Sequence, residues 1–108
     1  MPEEDIQQLG NIIELSGFKE IDGGSAVIIR KIVGNYARKL SDKVQGFEKL
    51  SLTMKKIHQA TEDSQGIFEL HGKAVANGKA YTSKLEDRNL FVAVDKVLTK
   101  LSHELELK

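Results

Sequence analysis

The chain has 108 residues, no cysteine and a formal net charge of zero, with 40% hydrophobic and 30% charged residues. That length holds one core, and the lack of cysteine excludes a disulfide framework and any thiolate metal site. No apolar run reaches the roughly 20 residues of a membrane-spanning helix, and Met1-Pro2-Glu3-Glu4-Asp5 has neither the basic flank nor the apolar stretch of a secretory signal. A cytoplasmic protein without a membrane partner is the expectation.

The zero net charge conceals a split. Residues 1–22 carry Glu3, Glu4, Asp5, Glu14, Glu20 and Asp22 against Lys19 alone, whereas residues 23–101 hold fourteen Lys or Arg against eight Asp or Glu. An excess of that kind concentrates polyanions around a domain, although it serves solubility equally well.

Residues 1–10 show no strong period and read as an acidic, poorly ordered segment or a short helical lead-in, leaving 11–108 as a single domain. Asn11 to Lys19 alternates and suits a first strand. Asp22-Gly23-Gly24-Ser25 interrupts it, with Asp22 or Ser25 placed to cap a helix. From Ala26 to Val44, Ile28, Ile29, Ile32, Val33, Tyr36, Ala37, Leu40 and Val44 recur at helical spacing, and Gly46 suits the turn that ends the helix.

Phe47 to Ile57 alternates again, Leu50, Leu52 and Met54 facing one way and Lys49, Ser51, Thr53 and Lys55 the other. After a polar connection over 59–65, Ile67 to Ala76 and Lys79 to Leu85 flank Asn77-Gly78, the pair that best accepts the positive φ of a type I′ hairpin turn. Near Asp87 the period changes from strand to helix, and Phe91, Val94, Leu98, Leu101 and Leu105 form an apolar stripe. The predicted fold is α+β in the order β-α-β-β-β-α, a four-stranded mixed sheet with both helices on one face. Leu50, Leu52, Met54, Phe68, Leu70, Tyr81 and Leu85 are the inward candidates. Ser51, Thr53, Lys55, Glu69, His71, Lys73, Thr82 and Lys84 then line the uncovered face, since a sheet buried on both sides would not place polar residues at every second position.

No catalytic constellation stands out. His58, His71 and His103 lie in or beside different predicted elements without metal-ligand spacing, and Glu62-Asp63 and Glu86-Asp87 sit at loop or turn positions where solvated carboxylates are ordinary. Gly23-Gly24-Ser25 lacks the Lys of a phosphate-binding loop, and its neighbour Asp22 repels anions, so a turn with an N-cap is the simpler reading. No cofactor and no enzymatic activity are expected. The basic residues have more order. Lys31 and Arg38 are seven apart on the first helix, with Arg30, Lys39 and Lys43 flanking the same polar side, while Lys96 and Lys100 are four apart on the last helix. Two basic helix surfaces on one side of a sheet suit phosphates along an RNA cleft. The aromatic residues mostly occupy core parity, which argues against stacking of bases.

The element order, together with Leu90-Phe91, Ala93-Val94-Asp95 and Lys100-Leu101, resembles the ribosome hibernation factors, also described as ribosome-associated translation inhibitors or sigma-54 modulation proteins. Topologically the likeness spans about residues 11–105, and its motif lies in the final third. The resemblance implies a domain that binds the small ribosomal subunit in its mRNA and tRNA channel and blocks translation under stress, without turnover. Carried onto this chain it marks Lys100 as an RNA contact and Asp95 as a residue that caps, pairs or orients a neighbour on its helix. Arg30, Lys31, Arg38, Lys39 and Lys96 join Lys100 on electrostatic grounds alone. The family's last helix often ends in basic residues, whereas this chain has Glu104-Leu105-Glu106 there. Two other readings stand beside this one: a protein-interaction module or homodimer using the open sheet face or a sheet edge, and a small metal-dependent enzyme using the histidines.

Overall fold

In the computed structural model, which describes residues 6–10, 12–19, 21–58 and 66–106, the chain forms five strands and two helices. They are β1 (Ile6–Leu9), β2 (Ile13–Ser16), α1 (Gly23–Lys43), β3 (Phe47–His58), β4 (Ile67–Ala76), β5 (Lys79–Asp87) and α2 (Leu90–Glu106). From β2 onward this is the expected β-α-β-β-β-α order of an α+β fold. The strands lie in sequence order across one mixed sheet: β2 and β3 are parallel, joined through α1, and every other neighbouring pair is antiparallel. The connection over 59–65 lies outside the described residues.

One strand was not anticipated. Ile6–Leu9 pairs antiparallel with β2, Ile6 opposite Ser16 and Leu9 opposite Ile13, so part of the segment expected to be poorly ordered extends the sheet to a fifth strand. Ile6-Gln7-Gln8-Leu9 has no apolar alternation; its conformation comes from the adjacent strand edge, a tertiary influence that a local period does not report.

Each helix begins where a side chain satisfies its first free N–H groups. Asp22 accepts from Ser25 N at 3.1 Å at the start of α1, and Asn89 Oδ1 accepts from Val92 N at 3.1 Å at the start of α2. Capping by Asp22 moves the start of α1 to Gly23, three residues before the expected Ala26. The Asn77-Gly78 turn has the expected positive φ values, 54° and 76°. Its tip is tied down: Asn77 N donates to Gly46 O at 2.9 Å, Asn77 Nδ2 to Gln45 O at 3.0 Å, and Gly78 N to Glu48 Oε2 at 2.8 Å. Gly46, at φ 82°, is needed there because a β-carbon would overlap the Asn77 side chain.

Both helices cover the same sheet face, α1 over β2 and β3, α2 over β4 and β5. Between them lie Leu15, Ile29, Val33, Leu40, Leu50, Leu52, Leu70, Val94, Val97, Leu98 and Leu101, all fully buried. Burying each of these side chains contributes about 1.5–3 kcal/mol, against about 0.2–1 kcal/mol for an exposed ion pair, so the apolar layer rather than the surface charge holds the fold. Gly72 lets α2 approach β4 closely: a β-carbon there would run into Val97 and Leu101. Of the inward candidates, Leu50, Leu52, Met54 and Leu70 are buried, and Phe68, Tyr81 and Leu85 pack half-exposed at the margin of the core. Ile28 departs from expectation. It is 49% exposed beside Val27 at 46%, because the buried stripe of α1 runs through Ile29, Val33, Ala37 and Leu40 and turns Ile28 to its outer side.

Candidate nucleic-acid interface

The two helices meet through a polar seam. The Tyr36 hydroxyl on α1 lies 3.2 Å from Asp95 Oδ1 and 3.0 Å from Thr99 Oγ1 on α2. An ionised carboxylate only accepts, so the single phenolic hydrogen goes to Asp95 and Thr99 donates to the Tyr36 oxygen. Asp95 therefore orients a residue of α1 rather than a neighbour on its own helix. Lys39 Nζ stands 5.6 Å from the centre of the Tyr36 ring, within cation–π range. Below this seam Tyr36, Lys39, Lys43, Thr99, His103 and Glu106 border a shallow trough of about 190 Å³ between the helices.

This seam fixes how each helix is turned, and hence which cations share a surface. Each residue advances about 100° around a helix axis. Asp95 and Thr99 face α1, so Lys96 and Lys100 are rotated away from it toward the β5 edge. The 3.9 Å ion pair of Lys96 with Asp87 at the end of β5 confirms that side for Lys96. On α1, Lys39 lies on the flank of the trough and Lys31 and Arg38 on the outward ridge. Arg30 is half-buried on the flank turned away from α2. The six basic residues expected to act together thus fall into two groups: Arg30, Lys31, Arg38 and Lys39 around α1, and Lys96 and Lys100 on the far side of α2. The two basic helix surfaces expected on one side of the sheet are therefore separate groups, since the apolar stripe and the seam residues, not the positions of the lysines, set the rotation of α2.

The cations of α1 gather on one helix with little opposing charge. Lys43 extends the group at the last turn, Asp42 is the one acidic residue within the helix, and no cation of α1 forms an ion pair among the described residues. On the sheet Lys49 pairs with Glu14 at 2.9 Å and Lys84 with Glu69 at 3.5 Å, whereas Lys55, Lys56, Lys73 and Lys79, like the cations of α1, form no ion pair among the described residues. Lys43 of α1 was noted in the sequence by its spacing; its place at the rim of the trough needed the packing of α2.

The uncovered sheet face is polar as expected. Ser51, Thr53, His71, Lys73, Thr82 and Lys84 border a shallow depression of about 570 Å³. His71 Nε2 stands 3.2 Å from Glu69 Oε1, within ion-pair distance. The His71 side chain above all holds Glu69 below its ordinary value; desolvation opposes it, and the Lys84 ammonium adds to the lowering. Asp22 is likewise lowered, by its hydrogen bonds to the Ser25 side chain and backbone. A carboxylate thereby caps α1, and Gly23-Gly24-Ser25, read from the sequence as a turn before the helix, forms its first turn instead.

Among the described residues no three His, Asp or Glu side chains are grouped so as to hold a metal ion, and no helix is long and apolar enough to cross a membrane. Comparison with models of known protein families gave no match. Comparison with curated proteins gave no similar sequence.

Proposed function

We propose that this chain is a translation-regulating binding protein of the hibernation-factor type, which holds small-subunit ribosomal RNA against its helices in the cytoplasm and occludes the decoding region. The observation that carries this reading is the unneutralised basic surface of α1, where Arg30, Lys31, Arg38, Lys39 and Lys43 stand without an ion-pair partner among the described residues. Support comes also from the α+β order that the resemblance implied.

Lys31 and Arg38 are two turns apart on the outward ridge, about 10 Å along the axis, so they reach separate phosphates of one strand. With Phe68, Tyr81 and Phe91 packed against the core, no aromatic platform is offered for stacking bases. Recognition then works through backbone and shape, and it involves binding without turnover or cofactor. Each phosphate neutralised steepens the salt dependence by about 0.7–0.9 in log–log slope.

Co-sedimentation with isolated small ribosomal subunits across a salt series tests the reading. Retention at low salt with steep release on adding salt is expected, and failure to co-sediment even at low salt would sink it.

A further inference from the structure

β5 is the last strand of the sheet, with no strand on its far side among the described residues. The two residues flanking a type I′ turn form a hydrogen-bonded pair, and pairing alternates from there. Because Ala76 and Lys79 flank the turn and the β4–β5 register runs unbroken to Phe68 and Asp87, the backbone groups of Lys79, Tyr81, Ser83, Leu85 and Asp87 point to β4. Those of Ala80, Thr82, Lys84 and Glu86 point outward and are free to bond another strand.

We propose that this edge pairs with β5 of a second copy of the chain, antiparallel about a dyad through Ser83. The strand reads Lys79-Ala80-Tyr81-Thr82-Ser83-Lys84-Leu85-Glu86-Asp87, and this centre pairs all 9 of its residues, whereas a dyad at Leu85, which sets Lys84 against Glu86, pairs only residues 83–87. Lys79 then faces Asp87 of the other copy, Tyr81 faces Leu85, and Lys84 faces Thr82, each contact occurring twice. A dyad at Lys84 would set two lysines face to face, and one at Thr82 would set Lys79 against Leu85. The outward groups of Thr82 and Lys84 also fall opposite each other, as a hydrogen-bonded pair requires.

Two further observations favour this centre. Ser83 Oγ is buried without a hydrogen-bond partner among the described residues. At the dyad the two Ser83 residues form a non-hydrogen-bonded pair, with Cα atoms about 4.5 Å apart, close enough for one hydroxyl to bond the other after rotation about Cα–Cβ. Tyr81 and Leu85 are half-exposed at the margin of the core, so their pairing across the dyad completes an apolar layer that otherwise stops at the edge. Lysines on an edge ordinarily discourage strand addition; here each has an acid or a hydroxyl opposite it. The dyad keeps both pairs of helices on one face and sets the two α2 helices side by side. Lys96 and Glu104, on either side of Lys100 on the facing flank, present both signs of charge to the opposing helix.

This association is independent of the RNA reading and is tested on the free protein. Sedimentation over a concentration series should show the mass rising from 12.0 kDa toward twice that value. Lys79→Asp or Asp87→Lys alone places like charges opposite each other at two symmetric points and should weaken the dimer at least tenfold. The double exchange restores the pairing, and circular dichroism checks that each variant is folded. The chain has no cysteine, so Ser83→Cys should give an oxidised dimer on a non-reducing gel, whereas Thr82→Cys, offset from its counterpart, should not. A protein that stays at 12.0 kDa throughout, or a dimer indifferent to both the exchange and the position of the cysteine, overturns the proposal.

Discussion

Tyr36 donates its hydroxyl hydrogen to Asp95 across 3.2 Å, and this bond ties α1 to α2 across the polar seam. Removing the hydroxyl with Tyr36→Phe also frees Thr99. A loss of about 0.5–1.5 kcal/mol is expected, toward the lower end because the seam is partly exposed to solvent. Urea denaturation measures it. The double variant with Asp95→Asn should lose less than the sum of the two single losses, as coupled neighbours do.

The division of the cations into two groups predicts unequal effects on RNA binding. Reversing Lys31 and Arg38 together should reduce retention on small subunits at low salt by at least tenfold and flatten the salt dependence. Reversing Lys96, already 3.9 Å from Asp87, should do markedly less. Equal losses from both groups would instead indicate contact on both sides of α2. Circular dichroism separates loss of binding from loss of fold.

The acidic residues before β1 lead to a second electrostatic prediction. Deleting residues 1–5 removes Glu3, Glu4 and Asp5 while leaving Ile6–Leu9 to pair with β2. RNA affinity should rise at low salt and converge with that of the whole chain as screening increases. Deleting residues 1–10 is the poorer experiment, since it strips an edge strand from the sheet.

Gly72 should tolerate no side chain. In Gly72→Ala the new methyl group meets Val97 and Leu101 on α2, and moving the helix disturbs the seam at Tyr36 as well. Overpacking of this kind costs about 1–3 kcal/mol, measurable as a lower denaturation midpoint with an unchanged slope.

Acid weakens the fold partly through Glu69 and Asp22. Both carboxyls lie below their ordinary values of 4.5 and 3.8, so the folded state binds their protons less tightly than the unfolded chain does. The stability they contribute is complete above those ordinary values and is lost as pH falls through the lower folded ones. Glu69→Gln should therefore be less stable than the natural sequence at neutral pH, and the gap should close on acidification. Asp22 is exposed and the lysine facing Glu69 is largely in solvent, so the effect is small. A gap that does not narrow in acid would count against the His71 and Lys84 contacts as its source.

Most of the fold is legible in the pattern of residues, because alternation in β3, β4 and β5 and the three- and four-residue steps of the helices arise from burial on one face. Asn77-Gly78 and Asp22 announce their roles by local backbone chemistry. β1 is not legible, since Ile6-Gln7-Gln8-Leu9 becomes a strand only by lying beside Ile13–Ser16. The cations could be named from the sequence, but their grouping could not. Whether Lys100 joins Lys39 depends on the angle between two helices, which Tyr36, Thr99 and the slot at Gly72 decide at distances of tens of residues.

The tip of the β4–β5 hairpin carries a last consequence, for where the chain accepts added sequence. Hairpin tips are ordinarily the positions that admit an inserted tag or a new pair of termini. Here Asn77 and Gly78 bond to Gln45, Gly46 and Glu48, so an insertion at this tip also unfastens the joint between α1 and β3. A turn that looks like a permissive exterior loop acts as a clasp between two parts of the chain about 30 residues apart.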